Sequence, residues 1–347
     1  MSAWHPLKLT LTLPVAMVLF ACSSAPQNQA PKLSLDTGRS LTADSYLYEF
    51  PTWSPDAKSI AVWRNTSNQL ELGPDGEAWD LVILNVSSGE IVELLGPGET
   101  SYPTWSPSGN ELAAIMYQTG EEGTDSLTIF SSEGEELRNL GCSNCSWPIW
   151  LSEGEIIVAA NLGLDANGEA QYGTARINAI SGEISEERPF TGIDAGLRAV
   201  SPSGNLIRLA GPFVATQDGT TLLMTARDPT CSGIWSYPIG SDGPAPLIDS
   251  PEILECDPAL SDNDAVLAYT VTPLSSQALR PSSLLLARAA DPVPTALLEL
   301  GPDIHQIRHP AWSPDGTQIA FVYGKFSTTS PAYSTLYIID VPPELQP

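Results

Sequence analysis

The chain has 347 residues, 31 of them proline and 27 glycine, and sets 15 lysines and arginines against 41 acidic side chains for a formal charge of −26. Hydrophobic residues make up 42% and charged ones 16%. That is enough apolar surface for one large all-β domain or two smaller ones, and too few charges for a coiled coil or long helical array. So acidic a surface repels a phosphate backbone, which excludes nucleic acid as the main partner.

Residues 1–21 read as a secretory signal peptide. Lys8 is its firmly charged residue, and Leu9–Ala21 is an apolar run too short to span a bilayer comfortably, ending in small residues. The end of that run, Leu19-Phe20-Ala21-Cys22, resembles the bacterial lipobox. The resemblance implies cleavage before Cys22 and acylation of that residue, palmitate included. The membrane then becomes a partner through a lipid anchor, each buried methylene adding roughly 0.8 kcal/mol. Residues 22–38 follow as a flexible tether, opening on the polar run Ser23 to Pro31.

A repeat dominates residues 39–345. Pro51-Thr52-Trp53-Ser54-Pro55-Asp56 leads into Ser59-Ile60-Ala61-Val62. Pro103-Thr104-Trp105-Ser106-Pro107-Ser108-Gly109 and Pro310-Ala311-Trp312-Ser313-Pro314-Asp315-Gly316 do the same. Weaker copies are Pro148-Ile149-Trp150, Val200-Ser201-Pro202-Ser203-Gly204 and Pro258-Ala259-Leu260-Ser261-Asp262. Anchors at 53, 105, 150, 200, 260 and 312 give six units of about fifty residues.

Each copy predicts a hairpin: an apolar strand ending at Trp-Ser, a turn in which proline fixes the first φ and glycine relieves the third position, and a second apolar strand such as Ser59–Arg64. Third strands are expected at Trp79–Val86, Ser126–Ser131, Tyr172–Ile180, Gly233–Ile239, Ser283–Ala289 and Ser334–Val341. A short fourth strand follows a Gly-containing turn, as in Ser88–Leu95. Four strands per repeat is one propeller blade. Phe213–Met224 also fits the hairpin pattern, but lies too close to the Val200 copy for a further blade. The Val200 anchor is retained and Pro212–Arg227 is read as an inserted hairpin, the reverse remaining open. Ser40–Ala43 is expected to pair with Ser334–Val341, completing blade six and hiding a sheet edge.

The W-S-P-D-G turn followed by an apolar strand resembles the TolB-type, WD40-like β-propeller repeat. That resemblance implies a six-bladed, all-β propeller of four-stranded antiparallel blades. In such a blade the loops joining strands two and three share one face with the connections between blades, and the hairpin turns occupy the other. Long loops on a rigid scaffold concentrate binding residues. The binding-face candidates are therefore Glu71, Asp75, Glu77, Glu121, Glu122 and Asp125 in the loops, with Tyr102, Trp147 and His309 near the same mouth. The repeated Trp53, Trp105, Trp150 and Trp312 are expected to pack between blades.

Beyond Cys22, four cysteines remain in a chain read as exported. Cys231 and Cys256 suit one disulfide, Cys142 and Cys145 a local one; a zinc site or a redox C-x-x-C is the alternative. No catalytic residue, metal or cofactor is assigned: there is no G-x-S-x-G elbow and no phosphate-cradling glycine loop. The function expected is a monomeric, non-catalytic protein- or glycan-binding scaffold of the cell envelope, with a cationic envelope protein or glycan as the partner its charge suits. The alternative is a lyase or hydrolase working at the propeller mouth. Only Lys8, Lys32, Lys58 and Lys325 are lysines, so the negative charge also fits a salt-adapted surface without any partner.

Overall fold

The computed structural model describes residues 33–44, 46–65, 79–95, 100–116, 126–142, 145–193, 198–200, 206–228, 230–250, 253–273, 283–288, 291–300, 305–325 and 333–347. Cys22, Glu71, Asp75, Glu77, Glu121, Glu122 and Asp125 lie outside them, as do the side chains of Tyr102 and Cys231.

Six antiparallel sheets follow one another along the chain. Blade one holds Leu47–Trp53, Ser59–Asn65, Trp79–Asn85 and Ile91–Leu95. Blade two holds Thr100–Trp105, Glu111–Met116, Ser126–Ser131 and Glu136–Asn139. Blade three holds Cys145–Ser152, Glu155–Leu164, Ala170–Asn178 and Ile184–Pro189. Blade four holds Leu206–Ala215, Thr221–Asp228, Thr230–Pro238 and Ala245–Ile248, with Arg198–Val200 as a fifth strand beside the first. Blade five holds Ile253–Leu260, Val266–Pro273, Ser283–Arg288 and Asp291–Glu299. Blade six holds Gln306–Trp312, Gln318–Lys325 and Tyr333–Asp340, and borrows Arg39–Ser40 as its outer strand.

That closure puts Arg39 opposite Ile338 and Ser40 opposite Tyr337. The pairing runs on through Leu41, whose N–H donates to the Leu336 carbonyl at 2.7 Å, and Thr42, whose Oγ1 accepts from the Leu336 N–H at 3.1 Å. The segment before it packs as well: the Leu33 N–H donates to the Leu297 carbonyl at 2.9 Å.

The sequence expectation for blade four needs correcting. Ala215 pairs with Leu222 as Trp53 pairs with Ile60, Trp105 with Leu112 and Trp312 with Ile319. Pro212–Arg227 is therefore the blade's own first hairpin, and the segment around Val200 is the insertion. Burial explains the choice: Phe213, Leu222, Leu223, Met224 and Ala226 are all buried.

Side chains alternate between the two faces of each blade, so each blade supplies two apolar surfaces and each joint between blades has its own core. Ile60, Val62 and Leu84 meet Ala320, Val322 and Leu336 of blade six. From the same strands of blade one, Ala61, Leu81 and Ile83 meet Trp105, Leu112 and Phe130 of blade two. The remaining four joints repeat the arrangement around the ring. Each fully buried Leu, Ile or Phe contributes roughly 1.5–3 kcal/mol.

Candidate binding site in the central channel

The first strand of each blade faces the axis: Thr52, Thr104, Ile149, Val214, Leu260 and Ala311 line a central channel. Five of these strands carry a proline two residues before the Trp position, and blade four carries Pro212 at its own break. Proline cannot donate to a sheet ladder, and inside a strand it is confined to bulges. The register breaks accordingly at the same place in all six: between Glu49 and Thr52, Ser101 and Thr104, Ser146 and Ile149, Ala210 and Val214, Cys256 and Ala259, and Arg308 and Ala311.

In four blades the residue before the proline takes a left-handed φ: 54° at Phe50, 53° at Trp147, 50° at Asp257 and 49° at His309. That backbone costs a bulky residue roughly 1–3 kcal/mol, and such strain gathers at functional positions. All four line the channel. The ring of Phe50 lies 4.1 Å from that of His309 and 5.7 Å from that of Trp147. Trp147 in turn lies 6.4 Å from Phe213. This aromatic collar ties blades six, one, three and four together. Next to it in sequence, Arg308 Nη1 and Glu49 Oε1 pair at 2.9 Å across the joint between blades six and one, which holds His309 against Phe50.

The collar also carries charge. The buried Asp257 accepts from the His309 N–H and from Thr270 Oγ1, both at 3.3 Å on Oδ2. Its Oδ1 stands 3.7 Å from His309 Nδ1. Toward the hairpin turns, Asp262 and Asp264 line the wall. Burial, and then the charge of Asp264, raises the Asp262 carboxyl above its ordinary value. The cavity measures about 310 Å³ at the collar and continues as a section of about 410 Å³ toward the turns, within the range of small-ligand sites. Among the described residues no lysine or arginine lines either section.

The walls are fixed by the repeat itself. The Trp53 indole donates to the Ala311 carbonyl at 3.1 Å, and the Trp105 indole to that of Thr52 at 3.2 Å, each reaching back to the preceding blade. Trp150 and Trp312 are buried at the equivalent places. In the turns, Ser54 Oγ donates to Asp56, Thr216 Oγ1 to Asp218 and Ser313 Oγ to Asp315. Between blades three and four, Arg176 Nη2 donates to the Gly219 carbonyl at 2.9 Å.

Of the predicted binding-face residues, the structure brings Trp147 and His309 together on the collar. Tyr102 precedes Pro103 at the equivalent bulge of blade two. His305, four residues before His309, points elsewhere: its Nε2 is 2.9 Å from Tyr333 Oη and its ring stacks on Tyr323. Asp165 and Glu169 form an exposed turn in blade three, the Glu169 N–H donating to Asp165 at 2.9 Å. The sequence reading missed Phe50, Asp257 and Asp262. The missed signal was a bulky or charged residue before a proline inside an apolar strand. Cys142 and Cys145 are joined in a disulfide. Cys256 is disulfide-bonded as well and sits inside the first strand of blade five.

No family model matches the sequence. An uncharacterized peptidase, YuxL, of Bacillus subtilis (strain 168) is 30% identical over 116 residues, which is 33% of this chain and 17% of that protein's length. In structure the chain is similar to TolB from Acinetobacter baumannii, with a TM-score of 0.51 and 14% identity over 82% of this chain and 64% of that one. It is equally similar to a protein assigned as TolB from Agrobacterium tumefaciens, with a TM-score of 0.51 and 16% identity over 88% and 94% of the two chains. At these identities the likeness is one of fold. The chain is an all-β, six-bladed propeller, similar in fold to these two structures.

Proposed function

We propose that this chain is a non-catalytic binding scaffold of the cell envelope, exported and lipid-anchored at Cys22, whose channel receives part of a protein or glycan partner. The observation that carries the reading is the collar. Four blades hold bulky or charged residues with left-handed backbone at one position, and all four line a cavity of about 310 Å³. Packing alone does not call for that strain, since the same joints are filled by ordinary strand residues.

The test places a photoreactive amino acid at Gln217 on the channel wall, or at the exposed Leu137 on the outer strand of blade two, in the full chain in its native envelope. Crosslinks to one partner from position 217 and none from 137 support the reading. The opposite pattern overturns it. Palmitate labelling that disappears in Cys22→Ala supports the anchor, and labelling that survives refutes it.

A second reading, an enzyme working in the channel, draws on the buried His309–Asp257 pair, a combination with acid–base potential. Chemical conversion of the captured partner by the parent chain, lost in His309→Gln with binding retained, is the result it requires.

A further inference from the structure

The chemistry of the collar narrows what can enter the channel. Aromatic faces attract cations through the negative charge above the ring, most strongly where water is displaced. Phe50 and Trp147 keep part of their surface open at the cavity. The Phe50 ring lies 4.1 Å from that of His309 and meets Trp147 edge-on at 71°, and all three residues line the same cavity. Beside His309, the ionisable groups of the described lining are Asp257, Asp262 and Asp264, all acidic. Asp257 is engaged with the His309 N–H and Thr270. Asp262 stands on the wall shared by both sections of the cavity, with solvent access and the like charge of Asp264 beside it. Rings and a carboxylate lining one cavity, without a lysine or arginine among the described lining, form a receptor for positive charge. The cavity is also larger than an ammonium group alone requires, and its second section leads to the hairpin turns, where Pro55, Pro107 and Pro314 make an apolar rim.

We propose that the channel takes the lysine or arginine side chain of an extended peptide, which enters between the hairpin turns past Asp262 and carries its cationic head into the cavity lined by Phe50 and Trp147. This assignment rests on the binding-scaffold reading and names the partner chemistry at its site. It differs from the sequence expectation in place: the cation is held in the channel, not by the loops of the opposite face.

Acetylated, amidated tetralysine is the probe, titrated into the full chain at low salt and followed by tryptophan fluorescence and calorimetry. One site is expected. Asp262→Asn and Phe50→Leu should each weaken it about tenfold, the size of a desolvated cation–π contact or ion pair. Glu136→Gln, the same loss of charge on the exposed outer strand of blade two, should leave affinity unchanged. Urea unfolding of every variant checks that each is folded. Three results would overturn the proposal: equal weakening by all three substitutions, equal binding of tetraglutamine, or tighter binding of the free polyamine spermidine through the same residues. Position 217 still crosslinking a partner while tetralysine fails to bind removes this inference and leaves the scaffold reading standing.

Discussion

Ring closure makes a quantitative prediction at Leu41. This residue is 7% exposed and follows directly on the two-residue strand that completes blade six. Its side chain belongs to the core between blades six and one, with Leu336, Ile338 and Val82. Leu41→Ala deletes three carbon groups at about 0.8 kcal/mol each, about 2.4 kcal/mol of transfer free energy before any cavity remains. Leu→Ala changes in rigid cores cost roughly 2–5 kcal/mol. A segment near one end of the propeller can settle inward, so about 2–3 kcal/mol is expected, a large part of the roughly 5–15 kcal/mol that holds a domain together. Urea unfolding followed by tryptophan fluorescence reads the loss. Leu137→Ala, at a residue 45% exposed, should stay within about 0.5 kcal/mol. Amide exchange adds a spatial reading: the Leu336 amide, which donates to Thr42 Oγ1, should exchange faster in Leu41→Ala, while Val158 in blade three should not. Equal losses for the two variants, or uniform acceleration around the ring, would refute closure as a stabilising joint.

The Arg64–Asp80 pair, 2.6 Å apart with side chains 12% and 3% exposed, should behave as a buried ion pair. Asp80→Ala alone should cost about 3–5 kcal/mol, and Arg64→Met with Asp80→Leu much less, as a double-mutant cycle in urea would show. Gly219→Ala should destabilise by more than about 1 kcal/mol, because φ is +63° and the new Cβ would meet Leu151 and Arg176; differential scanning calorimetry checks it. Glu255 is 1% exposed, and burial raises its carboxyl above the ordinary 4.5. Its contribution is therefore fully present below pH 4.5 and lost as pH rises through the raised folded value. Glu255→Gln should be more stable than the parent at pH 7 and match it at pH 4. Asp56 and Asp218 shift the other way: hydrogen bonds from Lys58 and Ser54 to the first, and from Thr216 and Thr220 to the second, hold both carboxyls down. Their contribution is present above pH 3.8 and lost as pH falls through the depressed values, so replacing both by Asn should flatten the acid limb of the stability profile.

Much of the fold was legible because its signals are local. Pro55-Asp56 and Pro314-Asp315-Gly316 sit in turns whose hydrogen bonds are made within five residues. The apolar strand after each turn then follows from alternation. Blade four was misread because its first strand has Ala215 where four of the other five blades have tryptophan, while the sequence Val200-Ser201-Pro202-Ser203-Gly204, beginning at the end of the inserted strand Arg198–Val200, imitates the turn motif. Local resemblance carries no information about which hairpin fills a joint; the burial of Leu222 and Met224 decides that. The site was only half legible for a related reason. Trp147 and His309 were picked out as mouth residues, but alternation cannot say where a side chain points once a bulge interrupts it. Phe50 and Asp257 looked like ordinary strand positions until the backbone before Pro51 and Pro258 turned left-handed.

Hydrogen exchange of the full chain, alone and with the partner crosslinked from position 217, tests the channel as binding site most directly. Added protection is expected at residues 50–53, 147–150, 214–217, 257–262 and 309–312, on five walls of the channel. Protection confined to the outer strands at 136–139 and 184–189, with the channel walls unchanged, would contradict it.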